Sequence, residues 1–322
     1  KTYSYKSTSS NYQTGASVNT PVQRTLQSRL DDTVSIRTFG ANGDGTDQTA
    51  SIQRALDQLY LNAATKLTAG SRVILKMEPG NYTISSTIKI PPFASIIGAG
   101  IDKTIINCTS ATSIAFETVN DSSQPGVYAL DATSTTLNQA REILMSDLTI
   151  QVTHQGAIHL MSCKDSEFKN IKVKGPWTSN SDSLVTTGIL LKSLSTAVNC
   201  TGNIFEHIRF EGWTTALKAD HDIKNNSFLH CDFKTCFKGI DFGGGTVLGT
   251  SGMQTGPVSN AISHCTFDDI SQQAITIETG TDNLSQLNKF FDCGNSMGSS
   301  ATAQYSIVKF DAYKNQSEGD WF

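Results

Sequence analysis

No dense cluster of lysine or arginine occurs anywhere in the 322 residues, and the formal net charge is -4. That balance leaves no electrostatic footprint for nucleic acid, so neither DNA nor RNA is expected as a partner. Long apolar runs are absent too. The longest, such as "RVILKM" and "SIIGAG", fall far short of the roughly 20 residues that span a bilayer, so no membrane insertion is expected. There is no Cys-x-x-Cys and no Cys/His zinc spacing, and the cysteines number seven, an odd count that does not suit a disulfide framework. The chain opens on Lys1 with neither an initiator methionine nor a charged-then-apolar leader, the expectation for a fragment, and this says little about compartment.

What is present begins with "FGANGDGTDQTASIQRAL" from Phe39. Gly40, Gly43 and Gly45 precede a helical pattern, yet no lysine follows as a phosphate-binding loop requires, and the spacing is not that of a dinucleotide loop. Carboxylates at Asp44 and Asp47 would repel a phosphate. Asp47 instead reads as the N-cap of a helix over 48–61, whose apolar Ile52, Ala55, Leu56 and Leu59 share one face.

Residues 1–33 are rich in Ser, Thr, Asn and Gln with few apolar anchors and read as an extended arm or linker. After the helix come short β-type runs, and beyond residue 140 a repeat takes over. The template apolar-x-x-apolar-x-apolar fits "MSDLTI" from Met145, "FKNIKV" from Phe168, "FEHIRF" from Phe205, "FLHCDF" from Phe228 and "ISHCTF" from Ile262, with a weaker copy, "FFDCGN", from Phe290. Successive starts differ by 23, 37, 23, 34 and 28 residues, so the basic step is 23 and the rest are 23 plus insertions.

Within each copy the first and third positions share one parity and the fourth and sixth the other, so a bend must fall between them. The third positions are Asp147, Asn170, His207, His230 and His264, the non-glycine types most enriched at positive φ. A coil of about 23 residues with three short strands and a recurring bend is a parallel β-helix, built by stacking like residues about 4.8 Å apart. Cys231, Cys265 and Cys293 then occupy the inward fourth position and read as reduced core residues. The stacked histidines His207, His230 and His264 read first as a bend ladder, with metal binding or pH sensing as the alternative.

"VSIRTFGANGDGTDQTASIQRALDQL" from Val34 and "EPGNYTISSTIKIPPFASIIGAG" from Glu78 resemble the opening of the pectate-lyase-like right-handed β-helix superfamily, and within it the tailspike and tail-fibre proteins of bacteriophages. The resemblance covers about residues 34–310 and departs from many members at Gln48, where an acid would pair with Asp47. It implies an all-β, right-handed parallel β-helix over 34–322 with an N-terminal capping α-helix, entered through the arm at 1–33. It further implies a virion appendage assembled in the host cytoplasm: a homotrimer that joins other tail proteins through the arm and contacts host-cell surface glycan, without cofactors. Glycan depolymerase activity is a further implication. The alternative is a free polysaccharide lyase or glycoside hydrolase.

Register alignment of Leu217, Ile240 and Ile275 points Lys218, Asp241 and Thr276 outward in one column and Asp220, Gly243 and Glu278 in the next. Asp220, Asp241 and Glu278 are therefore the candidate catalytic acids, since Asp220 and Glu278 would stand roughly 9 to 10 Å apart and inverting glycosidases hold their carboxyls about 6.5 to 9.5 Å apart. Lys218 lies beside them. Asp220, His221 and Asp222 form a second candidate acid/base or metal-ligating group, although neighbours on a strand face opposite ways. Trp177 and Trp213 are candidate sugar-stacking side chains, with insertions near 174–187 and 246–260 as glycan-contact loops. For Trp213, packing against an adjacent coil is an equal alternative.

Overall fold

Val34, Leu75, Ile96, Met145, Phe168, Phe205, Phe228, Ile262, Ser285 and Ser317 lie one above another in parallel register. A second column runs Tyr82, Ile106, Ile150, Val173, Phe210, Phe233, Phe267 and Phe290. A third runs Ile88, Phe116, Ile158, Ile189, Leu217, Ile240, Ile275 and Val308. These are the inward columns of three parallel sheets, and together they make a right-handed parallel β-helix. The computed structural model describes residues 2–4, 23–25, 32–62, 73–179, 185–220, 222–242, 256–278, 280–295, 308–310 and 315–321. Within the N-terminal 33 residues, Thr2–Ser4 pairs antiparallel with Gln23–Thr25, and most of the expected arm lies outside the described residues.

The bend between the first and second sheets falls where the parity change requires it. Asp147, Asn170, His207, His230 and His264 have φ of 59°, 50°, 54°, 52° and 56°. The last copy of the repeat, however, begins five residues before the expected Phe290. Ile262 pairs with Ser285 and Phe267 with Phe290, so the last copy starts at Ser285 and Phe290 is its sixth residue. The step from 262 to 285 is therefore the basic 23. Polar residues hide it: Ser285 and Asn288 stand at the apolar first and fourth positions, fully buried and hydrogen-bonded, Ser285 to Asp320 at 2.6 Å and Asn288 to the Ile262 carbonyl at 3.0 Å. Cys293 moves accordingly. It is half-buried and points its thiol at the Phe267 carbonyl, while the residue that follows Cys265 in the fourth position is Asn288, whose Oδ1 accepts from Cys265 N at 2.8 Å. All seven cysteines are free thiols. Burial pushes Cys163 and Cys236 up to about 12 and Cys231 well above its ordinary value, so these are inert core groups.

Two devices hold coil to coil. Phe210, Phe233, Phe267 and Phe290 stack at 4.7, 4.6 and 5.0 Å with planes within 8° of parallel. Their rings reach across the core to the third sheet, where Gly188, Ala216, Gly239 and Ala274 precede the inward Ile189, Leu217, Ile240 and Ile275: a Cβ on Gly239 would stand 2.4 Å from Ala274 O and 3.0 Å from the Phe267 ring. The second device is a buried asparagine ladder. Nδ2 of Asn203, Asn226, Asn260 and Asn283 each donates to the next side-chain oxygen, the last being that of Asn315, at 2.9, 3.0, 2.9 and 2.9 Å. Each of those oxygens also accepts the backbone N–H of the preceding asparagine, so groups that turn out of the sheets stay satisfied.

The glycine loop and helix close the N-terminal end. Gly43 sits so near Gly80 that a Cβ on it would be 2.9 Å from the Gly80 Cα, and the loop leads into α1 (Thr49–Leu56), continued by a π-helical turn, Asp57–Leu61. Ile52, Ala55 and Leu56 are buried beneath it. Gln48 occupies the cap position without a side-chain cap bond, while Asp47 Oδ1 accepts from Thr49 N at 3.0 Å. The departure at Gln48 has a physical reason: its amide donates to Asp44 at 2.7 Å and accepts from Gly43 N at 3.1 Å, whereas a carboxylate there would face Asp44 with no proton to give. Gln53 covers the edge of the third sheet, its amide exchanging bonds with Lys89 N and O at 2.7 and 3.1 Å as a neighbouring strand would.

Candidate functional site

The third sheet carries the acids expected from the sequence. Lys218 pairs with Asp241 and Asp241 with Thr276 in register, while Leu217, Ile240 and Ile275 between them are fully buried. Asp241 is held by Lys238 at 3.1 Å. Glu278 is exposed just past the end of its strand, its N–H donating to Phe242 O at 3.2 Å. Asp220 ends the strand Thr215–Asp220, opposite Lys192. The Asp220 side chain, His221, and Gly243 to Gly245 lie outside the described residues, as do residues 180–184 and 246–255 of the proposed loops. Asp222 is buried, so it shares no open surface with Asp220. Thr276 is buried as well, not exposed as alternation alone predicted.

Burial separates the two tryptophans from the expected sugar-stacking role, and for Trp213 it selects the packing alternative. Trp213 is fully buried, its indole N–H donating to Val173 O at 3.0 Å, and it lies flat against Gly175, where a Cβ would come within 2.7 Å of the ring. It is a packing residue. Trp177 is only 5 % exposed and leans on Phe237 with ring centroids 6.2 Å apart. Neither presents an open ring face to a sugar.

Trp177 instead walls a hollow of about 500 Å³ that continues into a second of about 330 Å³, the two sharing Glu211 and Lys234. This trough runs along the outer face of the second sheet. Its two sides are outward columns: Lys172, Arg209, Asp232 and Thr266 on one, and Lys174, Glu211, Lys234 and Asp268 on the other. Opposite charges face each other at its two middle rungs, Arg209 with Glu211 and Asp232 with Lys234. Glu211 pairs with Lys172 and Lys174 at 3.4 and 3.6 Å, and Lys234 with Asp268 at 3.2 Å. Arg209 and Asp232, side by side in register and exposed, make no ion pair among the described residues. The sequence carried a sign of this trough in the charged residues flanking each buried phenylalanine, as in "IRFEG" and "CDFKT".

Residues 33–300 match the family model described as rhamnogalacturonase A/epimerase, pectate lyase-like. The chain belongs to this family. No curated protein matches it. Among solved structures it is similar to ORF18 of Geobacillus virus E2, at 15% identity and a TM-score of 0.47 over 92% of this chain and 63% of that one. It is also similar to PfbA, a surface adhesin of Streptococcus pneumoniae, at 11% identity and a TM-score of 0.42 over 90% and 93%. The Dettilon tailspike protein aligns at 11% identity and a TM-score of 0.38 over 92% of this chain and 61% of its own. The chain thus spans less than two thirds of the two viral proteins' lengths.

One further acid of this pectate-lyase-like chain stands apart. Asp131, in the insertion between Phe116–Thr118 and Leu144–Val152, is 6 % exposed and its Oδ1 has no hydrogen-bond partner. Burial raises its pKa, against opposing contributions from Ser162, Lys192 and Ser134. A carboxyl whose folded pKa lies above its unfolded value adds stability below the unfolded pKa, and that contribution is lost as pH rises through the folded pKa. Asp131→Asn is therefore expected to stabilise the protein by about 1 kcal/mol at pH 7, with the gain shrinking towards pH 4. Urea unfolding of both forms at the two pH values checks this, and an equal gain at each would show that ionisation is not the cause.

Proposed function

We propose that this chain is the β-helical body of a bacteriophage tail appendage that binds host surface polysaccharide along the trough from Trp177 to Asp268. The observation that carries the reading is the trough itself, in which polar groups recur once per coil over successive coils in the way a chain of repeating sugars would need. Arg209 and Asp232 are the polar anchors, and Trp177 is a wall, not a stacking platform. The opening motif from Val34 resembles that of phage appendages and supports the virion assignment. A homotrimer, attachment to other tail proteins through residues 1–33 and assembly in the host cytoplasm complete the proposal; seven free thiols fit folding in a reducing compartment.

Cleavage is assigned to the third sheet, with Asp220, Asp241 and Glu278 as the acids and Lys218 as a neighbouring cation. The family description favours a second reading, a free polysaccharide lyase or glycoside hydrolase. One experiment addresses both. Incubated with a panel of bacterial surface polysaccharides, the protein is expected to bind at least one, and Arg209→Ala or Asp232→Ala to weaken that binding about tenfold, the loss of one charge-assisted hydrogen bond. Asp241→Asn and Glu278→Gln are expected to leave binding in place and remove new reducing ends or unsaturated uronates. Unchanged binding in both trough variants would move the site elsewhere. Binding without cleavage in the parent would leave an adhesive appendage, and light scattering reports the trimer.

A further inference from the structure

His207, His230 and His264 are exposed, each at the left-handed bend of its coil. Their rings stack along the helix axis, with centroids 5.2 and 5.1 Å apart and planes inclined by 22° and 41°. The backbone turn explains why residues of this type stand here, yet Asn170 and Asp147 make the same turn one and two coils earlier without imidazole. Two of the three rings also have an oxygen near Nδ1. Nδ1 of His264 lies 2.7 Å from Ser263 Oγ and that of His207 3.8 Å from the Glu206 carboxylate. In the tautomer whose Nδ1–H donates to that oxygen, Nε2 is left as a lone pair, the arrangement that orients histidine as a metal ligand.

We propose that this ladder is a binding site for a borderline transition-metal cation such as Zn²⁺ or Ni²⁺, taken between neighbouring imidazoles. The lone pairs lie in the ring planes, so two neighbouring exposed rings must turn out of the stack about their side-chain torsions to point their nitrogens at one ion, each Zn–N bond being about 2.0 to 2.1 Å. Among the described residues no three His, Cys, Asp or Glu side chains converge on a common point, so each ion takes two protein ligands and fills its other positions with water. His230 belongs to both possible pairs. One ion per chain is therefore expected, in either of two equivalent places, and it clips adjacent coils together. Because it binds only where the coils are stacked, it raises thermal stability with concentration. The site is separate from the trough and from the acids of the third sheet.

The test is calorimetric titration of the intact chain with Zn²⁺ alone, repeated with Ni²⁺. Asparagine is the substitution at each position because it accepts the bend, as Asn170 shows. One equivalent is expected to bind the parent. His207→Asn and His264→Asn each leave a working pair and should weaken binding only about twofold, by halving the number of places. His230→Asn should weaken it at least tenfold, and the double variant His207→Asn/His264→Asn equally. Unfolding temperatures without metal should agree among all variants, while the metal-induced rise disappears with the binding. Equal losses from all three single variants, or binding that survives removal of all three histidines, would overturn the assignment.

Discussion

Asn226→Leu is expected to lower the unfolding free energy by about 3 kcal/mol, whereas Asn226→Ser should cost only about 1 kcal/mol. The difference lies in what is left without a partner. Asn226 is fully buried, and its Oδ1 accepts from both the backbone and the side chain of Asn203, while Nδ2 donates to Cys200 O and Asn260 Oδ1. Leucine removes all four bonds and leaves the buried Asn203 N–H with no acceptor, the costliest outcome. A hydroxyl restores that one contact. The protein already uses the serine solution one coil before the ladder begins, where Ser166 Oγ accepts from Ile143 N at 3.0 Å and Ser166 N donates to Asn203. Urea midpoints of the three proteins decide it. If Leu and Ser cost the same, the ladder's energy resides in the side-chain chain of amides and not in the satisfaction of backbone N–H groups.

This ladder also marks a limit of reading the sequence. The coil was legible because apolar positions repeat at a fixed step with a parity change, which required a bend, and because residues tolerant of positive φ stood at that bend. Leu217, Ile240 and Ile275 were placed in register from the same pattern, and the structure pairs them so. Asn203, Asn226, Asn260 and Asn283 recur with the same period, two residues before each copy, but a template built on hydrophobicity passes over polar groups. The same blindness hid the copy at Ser285, where buried serine and asparagine replace phenylalanine and cysteine. Here the core is polar and satisfied, a choice that composition does not announce.

The candidate site was less legible for a different reason. Alternation says which way a side chain leaves the strand, not what then covers it, so Thr276 was expected outside and is buried. Trp213 shows the same gap: a ring just past a coil strand was open to either reading until Gly175, 38 positions earlier in the chain, was seen to leave room for it. The trough depends on charges from several coils at once. Each of Lys172, Arg209, Glu211, Asp232 and Lys234 looks like an ordinary solvated residue on its own strand, and only the register of the second sheet lines them up.

That register rests on the phenylalanine stack beneath, which ties the site to the core. Phe233 is 1 % exposed, lies between Phe210 at 4.7 Å and Phe267 at 4.6 Å, and its neighbours in sequence, Asp232 and Lys234, stand on opposite sides of the trough. Phe233→Ala is expected to cost about 3 to 5 kcal/mol, since the ring's contacts are lost and the two flanking rings cannot both close the gap. Phe233→Leu, which keeps most of the volume, should cost under about 1.5 kcal/mol. Stacking adds a part that volume does not: Phe233→Ala combined with Phe267→Ala should fall short of the sum of the single losses by about 0.5 to 1.5 kcal/mol. Chemical denaturation of the four proteins measures that coupling, and strict additivity would mean the rings act only as filler. Polysaccharide affinity provides the second readout. Because the polar groups of the trough stand on the strands this stack spaces, Phe233→Ala should weaken binding under conditions where the variant is still folded, while Phe168→Ala, equally buried but in the first sheet's stack, should lower stability and leave affinity unchanged.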